Sequence, residues 1–305
     1  MASLQPLQLA DRDTVSDQLE EYPPKVSEHT FTNLHIWRDS REILWCQAEK
    51  ALIFVERADD GLVLFGPPVG PRSVPESLDI LENVAEGPVM AAERIDERSL
   101  DTVREHDMQP ESDRDNYDYV YRQEKLAELP GRHMHSKRNL VERCLSAHDC
   151  RWERIEPELM SEVADLQDRW CDERNCGKVP GLCAEYQAIQ RLLDNYEDLE
   201  VCGGAVRVDG TIQAYTIGEA LSDDTAVVHV EKAMPDIDGL YQVVNQWFCR
   251  EELGGFEYVN REQDLGIRGI RKAKKSYRPD HMVRKYSLQL QPGHVRADAA
   301  EGRCG

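Results

Sequence analysis

One order of secondary-structure signals, helix–helix–strand–strand–strand–helix–strand, occurs twice along the chain. In the first half, helices are expected at about 9–21 and 28–37, then three apolar strands, EILWCQA (42–48), ALIFVER (51–57) and GLVLFG (61–66). Gly and Pro bracket these strands, as in GPPVGP at 66–71. A helix at 75–86 carries Leu78, Leu81 and Ala85 at helical spacing, and a strand at 88–93 and a helix at 96–106 follow. The second half has helices at 157–173 and 183–194, strands at 199–208, 211–220 and 225–233, a helix at 239–253 and a strand at 256–260. Asp209-Gly210 is a two-residue hairpin signal between the first two of those strands. A period this long excludes a solenoid and points to two copies of one α+β unit. The expected division is 1–115, a connecting pair of helices over 116–149 broken at Pro130-Gly131, and 150–290. The tail at 291–305 lacks periodicity and is expected to be disordered.

The balance of charge limits partners. A formal net charge of -21 repels nucleic acid and anionic membranes at long range, so binding either requires a locally positive surface. The N-terminus has no basic start or apolar core of a secretory signal, and the longest apolar runs are too short to span a bilayer. A cytoplasmic location is expected. Nine cysteines lie scattered with no CxxC pair, and the spacing of Cys171, Cys176 and Cys183 fits no common zinc pattern. Free thiols and no metal site are expected.

Three stretches carry candidate chemistry. The first is NREQDLGIRGIRKAKKSYRP (260–279), with Asn260, Arg261, Glu262 and Asp264 ahead of a basic helix. Asp264 is a candidate helix cap, and Ile267, Ile270, Ala273 and Tyr277 form an apolar stripe. Arg268, Arg271, Lys272 and Lys275 lie on another face, with Lys274 in the same run, either as a solvated surface or as a site for a polyanion. Gly266 and Gly269 cost helix stability, about 1 kcal/mol each, and let a phosphate approach the backbone. The second is HMHSKRNLVERC (133–144), where Ser136 is a candidate cap of a helix whose first turn would hold Lys137 and Arg138, with Asn139 next. Cations there oppose the helix dipole unless an anion sits at that end. The third is TAVVHVEKAMPDIDGLY (225–241). Strand alternation puts His229 and Glu231 on one face, where they need partners or water, and the chain then enters a helix at Tyr241 through an acidic loop. No Walker A, G-x-S-x-G, H-E-x-x-H or G-x-G-x-x-G motif is present.

Together with YPPKVSEHTFTNLHIW (22–37), the segments DYVYRQEKLAELPGRHMHSKRN (118–139), HVEKA (229–233) and NREQDLGIRGIRKAKKSYRP resemble the bacterial phosphatidylglycerol lysyltransferase C-terminal domain family. The resemblance implies two tandem GNAT-like units, each a mixed sheet flanked by helices. It also implies acyltransferase chemistry, with an aminoacyl group moved from aminoacyl-tRNA to an acceptor amine or hydroxyl, as in Fem-type relatives. Aminoacyl-tRNA would be the cosubstrate, with no tightly bound cofactor. Acyl-CoA is the alternative donor, and a non-catalytic binding protein the alternative role. The lipid-modifying relatives have membrane-spanning segments, which this sequence lacks. The GNAT pyrophosphate loop, Q/R-x-x-G-x-G/A, is replaced by MPDIDGLY. On this reading Glu231 is the base or holds the aminoacyl ammonium group, and His229 is the alternative base. Arg268, Arg271, Lys272 and Lys274 hold donor phosphates, with Lys137 and Arg138 as a second contact and Asn139 as a further substrate-binding residue. Asn260, Arg261, Glu262, Asp264, Lys232 and Tyr241 then shape the pocket.

Overall fold

A computed structural model describes residues 3–290. The tail read at 291–305 lies outside the described residues. The described residues divide into two units, 3–117 with 283–290, and 118–282.

The first unit contains β1 (Gln5–Pro6), α1 (Arg12–Glu21), α2 (Phe31–Trp37), β2 (Ile43–Ala48), β3 (Ala51–Ala58), β4 (Gly61–Phe65), α3 (Val74–Val84), β5 (Val89–Asp96), α4 (Leu100–Glu105) and β6 (Glu111–Ser112). The second contains β7 (Asp118–Arg122), α5 (Gln123–Glu128), α6 (His135–Ala147), β8 (Cys150–Arg154), α7 (Met160–Arg174), α8 (Pro180–Asp194), β9 (Cys202–Val208), β10 (Thr211–Ala220), β11 (Thr225–Ala233), α9 (Leu240–Glu251), β12 (Tyr258–Asn260), α10 (Arg268–Ser276) and β13 (His281–Val283). The last strand, β14 (Lys285–Gln289), returns to the first sheet.

Both sheets follow one plan. Their orders are β1-β2-β3-β4-β5-β14-β6 and β8-β9-β10-β11-β12-β7-β13. In each, three antiparallel strands lead through a crossover helix, α3 or α9, to a parallel partner, β4 with β5 and β11 with β12. An antiparallel strand then closes the set, β14 beside β5 and β7 beside β12. These are the two GNAT-like mixed sheets flanked by helices. The hairpin at Asp209-Gly210 forms, with φ of 50° and 92°. No helix among the described residues is long and apolar enough to cross a membrane.

The division differs from the expected one at residues 116–149. That segment is no connector: β7 is an inner strand of the second sheet, and α5 and α6 belong to the same unit. Asp118, Tyr119, Val120 and Tyr121 are all buried, so both faces of β7 are covered and no alternation marks it as a strand. Its Tyr119 and Tyr121 join Val206, Ala214, Val243, Val244 and Phe248 in the core of the second unit. In α9, Leu240, Val243, Val244, Trp247 and Phe248 recur at helical spacing and face the sheet.

Candidate functional site

The parallel pair β11–β12 is the structural key to the site. It is hydrogen-bonded only over Thr225–Val227 and Tyr258–Asn260, after which β11 runs on to Ala233 without β12 beside it. Where the strands part, the register of β11 against β10 slips by one residue: Val230 pairs with Ile217 but Val228 pairs with Gly218, which leaves His229 as the extra residue of a bulge.

The bulge resets the alternation. Ala226 and Val228 pack in the core with α9, and beyond the bulge Glu231 reaches Asn245 of α9. His229 instead bonds Glu219, which pairs in register with Val227. The expectation that His229 and Glu231 share a face is therefore corrected. One extra residue places them in separate clusters on opposite faces of the sheet.

On the α9 face, Glu231 Oε1 accepts from Arg261 Nη2 at 2.8 Å and Oε2 accepts from Asn245 Nδ2 at 2.9 Å. The Arg261 guanidinium lies 5.1 Å from the Tyr277 ring and 5.9 Å from the Tyr121 ring. Burial works against its charge, and Glu231 more than offsets this, so Arg261 stays firmly protonated. Lys137 Nζ sits 4.5 Å from the same Tyr277 ring, and its pKa is lowered by burial and by Arg261. Burial also pushes the Tyr277 hydroxyl up to about 12. Among the described residues, three buried polar atoms here have no hydrogen-bond partner: Arg261 Nη1, Asn245 Oδ1 and Oγ1 of Thr216, the cross-strand neighbour of Glu231. Buried polar groups are nearly always paired, so three orphans around one ion pair indicate a place for a polar ligand or ordered water.

On the other face, Nε2 of His229 is 2.7 Å from Glu219 and Nδ1 is 2.9 Å from Glu262. The side chain is 1% exposed. Burial opposes its charge, but the two carboxylates outweigh it and raise the pKa to about 10. An imidazolium with both nitrogens donating has no lone pair to offer, so the role of base does not fit His229.

The basic stretch splits into two kinds of residue. Arg271 forms a bidentate pair with Asp264 at 2.9 and 2.6 Å, and Asp264 also accepts from the Tyr119 hydroxyl at 2.5 Å and the Gly266 amide at 2.9 Å. Burial raises the pKa of Asp264, but these bonds outweigh it and hold it at about 2. Lys274 turns inward to the carbonyls of Arg261 and Gln263, and burial pushes its pKa down to about 8. Asn260 Oδ1 accepts from the Glu262 amide and its Nδ2 donates to Asp118. These residues brace a turn in which Glu262, Leu265 and Gly266 all have positive φ. Arg271 and Lys274 are thus structural groups, contrary to the expectation that they hold phosphate. Arg268, Lys272 and Lys275 are exposed, and their side chains have no ion pair or hydrogen bond among the described residues.

Arg271→Met is expected to lower the unfolding free energy by about 2–3 kcal/mol, less than for a fully buried pair because Arg271 is 30% exposed, and Lys272→Met to change it by less than about 0.5 kcal/mol. Urea denaturation of both variants checks this, and equal stabilities would contradict the assignment of Arg271.

The other expected site residues fall elsewhere. Lys232 points away from Glu231, to Glu185 at 2.8 Å and over the Trp170 ring at 3.9 Å. The Tyr241 hydroxyl accepts from Trp170 Nε1 at 3.1 Å. Arg138 donates to the carbonyls of Leu129 and Gly131, which tie down the segment after α5, and exposed Asn139 contacts His135 at 3.3 Å. Asn245, Thr216, Tyr121 and Glu219 were not anticipated. The one available signal was Asn245, a polar residue within the apolar stripe of LYQVVNQWF.

A family model described as "Phosphatidylglycerol lysyltransferase, C-terminal" matches residues 19–289. The chain belongs to this family. Phosphatidylglycerol lysyltransferase C-terminal domains are transferase domains by that description, and at this coarse level the chain is a transferase-family protein. A crystal structure of a conserved protein of unknown function from Bacteroides thetaiotaomicron is 30% identical, with a TM-score of 0.88 over 95% of this chain and 100% of that one. L-PGS from Bacillus licheniformis is 14% identical, with a TM-score of 0.64 over 92% of this chain and 91% of that one. FemX is 9% identical, with a TM-score of 0.58 over 94% and 97%. The last two likenesses are of fold. No match to a curated protein was found.

Proposed function

We propose that the second unit transfers an aminoacyl group from aminoacyl-tRNA to an acceptor amine or hydroxyl. The observation that carries this reading is the set of orphaned atoms around Glu231. Arg261 Nη1 is a donor, Asn245 Oδ1 an acceptor and Thr216 Oγ1 either. An aminoacyl ester offers the complement: a carbonyl oxygen that accepts and an amino group that donates.

In the proposed step the acceptor attacks the ester carbonyl. A new C–N or C–O bond forms, the bond to the ribose oxygen breaks, and that oxygen takes the proton the nucleophile gives up. Arg261 Nη1 donates to the carbonyl oxygen as its charge grows, in a site where it needs no reorganisation. Asn245 and Thr216 orient the amino group. Glu231 already accepts from Arg261 and Asn245, so it serves better as counter-charge to the donor's ammonium than as a base.

The name of the matching family and the FemX-like fold support an aminoacyl donor. Acyl-CoA is disfavoured at the start of α9. Gly239 packs there so closely that a Cβ would lie 2.2 Å from the Leu140 carbonyl, and Asp238 pairs with Arg143. The helix end that would hold a pyrophosphate is covered by α6 and flanked by acid. Arg268, Lys272 and Lys275 follow one another at i, i+4 and i+7 on the exposed side of α10 and suit successive phosphates of an RNA backbone.

The test supplies the purified protein with tRNA carrying labelled amino acids, and separately with labelled acetyl-CoA, each with a small-molecule extract as acceptor. Label leaving tRNA for an acceptor supports the reading, and transfer from acetyl-CoA alone overturns it. Replacing Arg268, Lys272 and Lys275 together by Ala is expected to weaken tRNA binding and flatten the slope of log affinity against log salt by about 2–3 units. An unchanged slope returns the stripe to a solvated surface.

A further inference from the structure

The first unit holds a cleft of about 810 Å³, within the range of small-molecule sites, bounded by the end of α1, the loop after β4 and the segment from Asp96 to α4. Its walls include Pro23, Pro24, Pro67, Pro68 and Pro71. Pro23, Pro68 and Pro71 are exposed or half-buried and present flat aliphatic faces with no N–H groups, while Pro24 and Pro67 are buried behind them. His29 also lines the cleft and is 1% exposed. Its Nε2 lies 2.9 Å from the Phe65 carbonyl. A carbonyl only accepts, so Nε2 carries the hydrogen and Nδ1 presents a lone pair. Burial lowers the pKa of the ring and keeps it neutral. Nδ1 has no partner. The loop after β4 is built around this ring: a Cβ at Gly66 would lie 2.1 Å from Nε2, and Gly66 has φ of 82°.

The cleft's two arginines are already held by acids, Arg72 by Glu49 and Arg98 by Asp96, and the start of α3 offers little to a phosphate. At the start of α3 the Ser73 and Glu76 side chains cap each other's amides, and Pro75 has none. Asp96 is occupied by Arg98 at 2.7 Å.

We propose that this cleft is a separate binding site for a small aromatic or alicyclic molecule bearing a hydroxyl or amine, which stacks on the proline faces and donates a hydrogen bond to Nδ1 of His29. The site uses no residue of the second unit, so it stands or falls independently of the transfer reaction.

The probes are phenol and anisole, which share a ring but differ in the O–H donor. Each is titrated at millimolar concentration into the full chain with 15N-labelled histidine. Phenol is expected to bind about tenfold tighter than anisole and to move the His29 Nδ1 resonance in the direction of an accepted hydrogen bond. His29→Phe is expected to remove the difference between the two. Equal affinities for phenol and anisole, or no binding of phenol, overturn the proposal on the unaltered chain, whether or not the variant folds.

Discussion

Glu231→Gln is expected to lower the unfolding free energy by about 3–5 kcal/mol and to abolish the proposed transfer. The amide keeps the shape and the contact with Asn245 but removes the charge facing Arg261. The two side chains are only 14% and 12% exposed, so the guanidinium is left in a site where burial opposes its charge. At roughly 2–4 °C per kcal/mol for a unit of this size, the midpoint of thermal unfolding should fall by about 6–20 °C. Loss of activity alone would then be ambiguous. The double variant Glu231→Met with Arg261→Met removes both charges, fills similar volume and is expected to recover most of the stability, since replacing a buried pair by apolar groups is often neutral. It should remain inactive, because no donor is left for the carbonyl oxygen. A double variant that is both stable and active would show that the pair is only structural.

The apolar strand triplets, the crossover helices and the Asp209-Gly210 hairpin were legible because each is a local pattern. The strands that complete the sheets were not. β7 is buried on both faces and precedes its sheet in sequence, while β14 carries Lys285, fully buried against Glu28, and so reads as polar. Neither local periodicity nor the repeat brings such strands to their partners. The site divides in the same way. Arg261 and Glu231 were named from their motifs, and the structure brings them together. The bulge at His229 is invisible in TAVVHVEKA, because a one-residue slip depends on what β10 presents. Likewise, the positive charge of α10 could be counted from sequence. Its partition into bracing groups, Arg271 and Lys274, and exposed ones, Arg268, Lys272 and Lys275, depends on where Asp264 and the loop carbonyls lie.

Between about pH 6.5 and 8 the protein is expected to lose stability through His229 at up to about 1.4 kcal/mol per pH unit. The folded-state pKa of about 10 lies above the ordinary imidazole value of 6.5. Its contribution is fully present below pH 6.5, where both states hold the proton. As pH rises, the unfolded chain releases the proton first, the folded chain keeps it between Glu219 and Glu262, and the advantage shrinks until it is lost near pH 10. Lys274 acts with the opposite sign. Its folded-state pKa is lowered from 10.5 to about 8, so from pH 8 to 10.5 the folded chain holds fewer protons and stability rises. The two slopes oppose each other from about pH 8 to 10, which leaves the clearest decline between 6.5 and 8. At the acid end Asp264, lowered from 3.8 to about 2, adds a loss as pH falls through that interval. Urea midpoints measured at half-unit steps for the wild type and His229→Gln isolate the histidine, since other groups contribute similarly to both. The difference between the two proteins should shrink by about 2 kcal/mol from pH 6.5 to 8. A difference that stays constant over that range would mean that His229 is neutral in the fold, and the lone pair denied to it above would again be available to serve as a base.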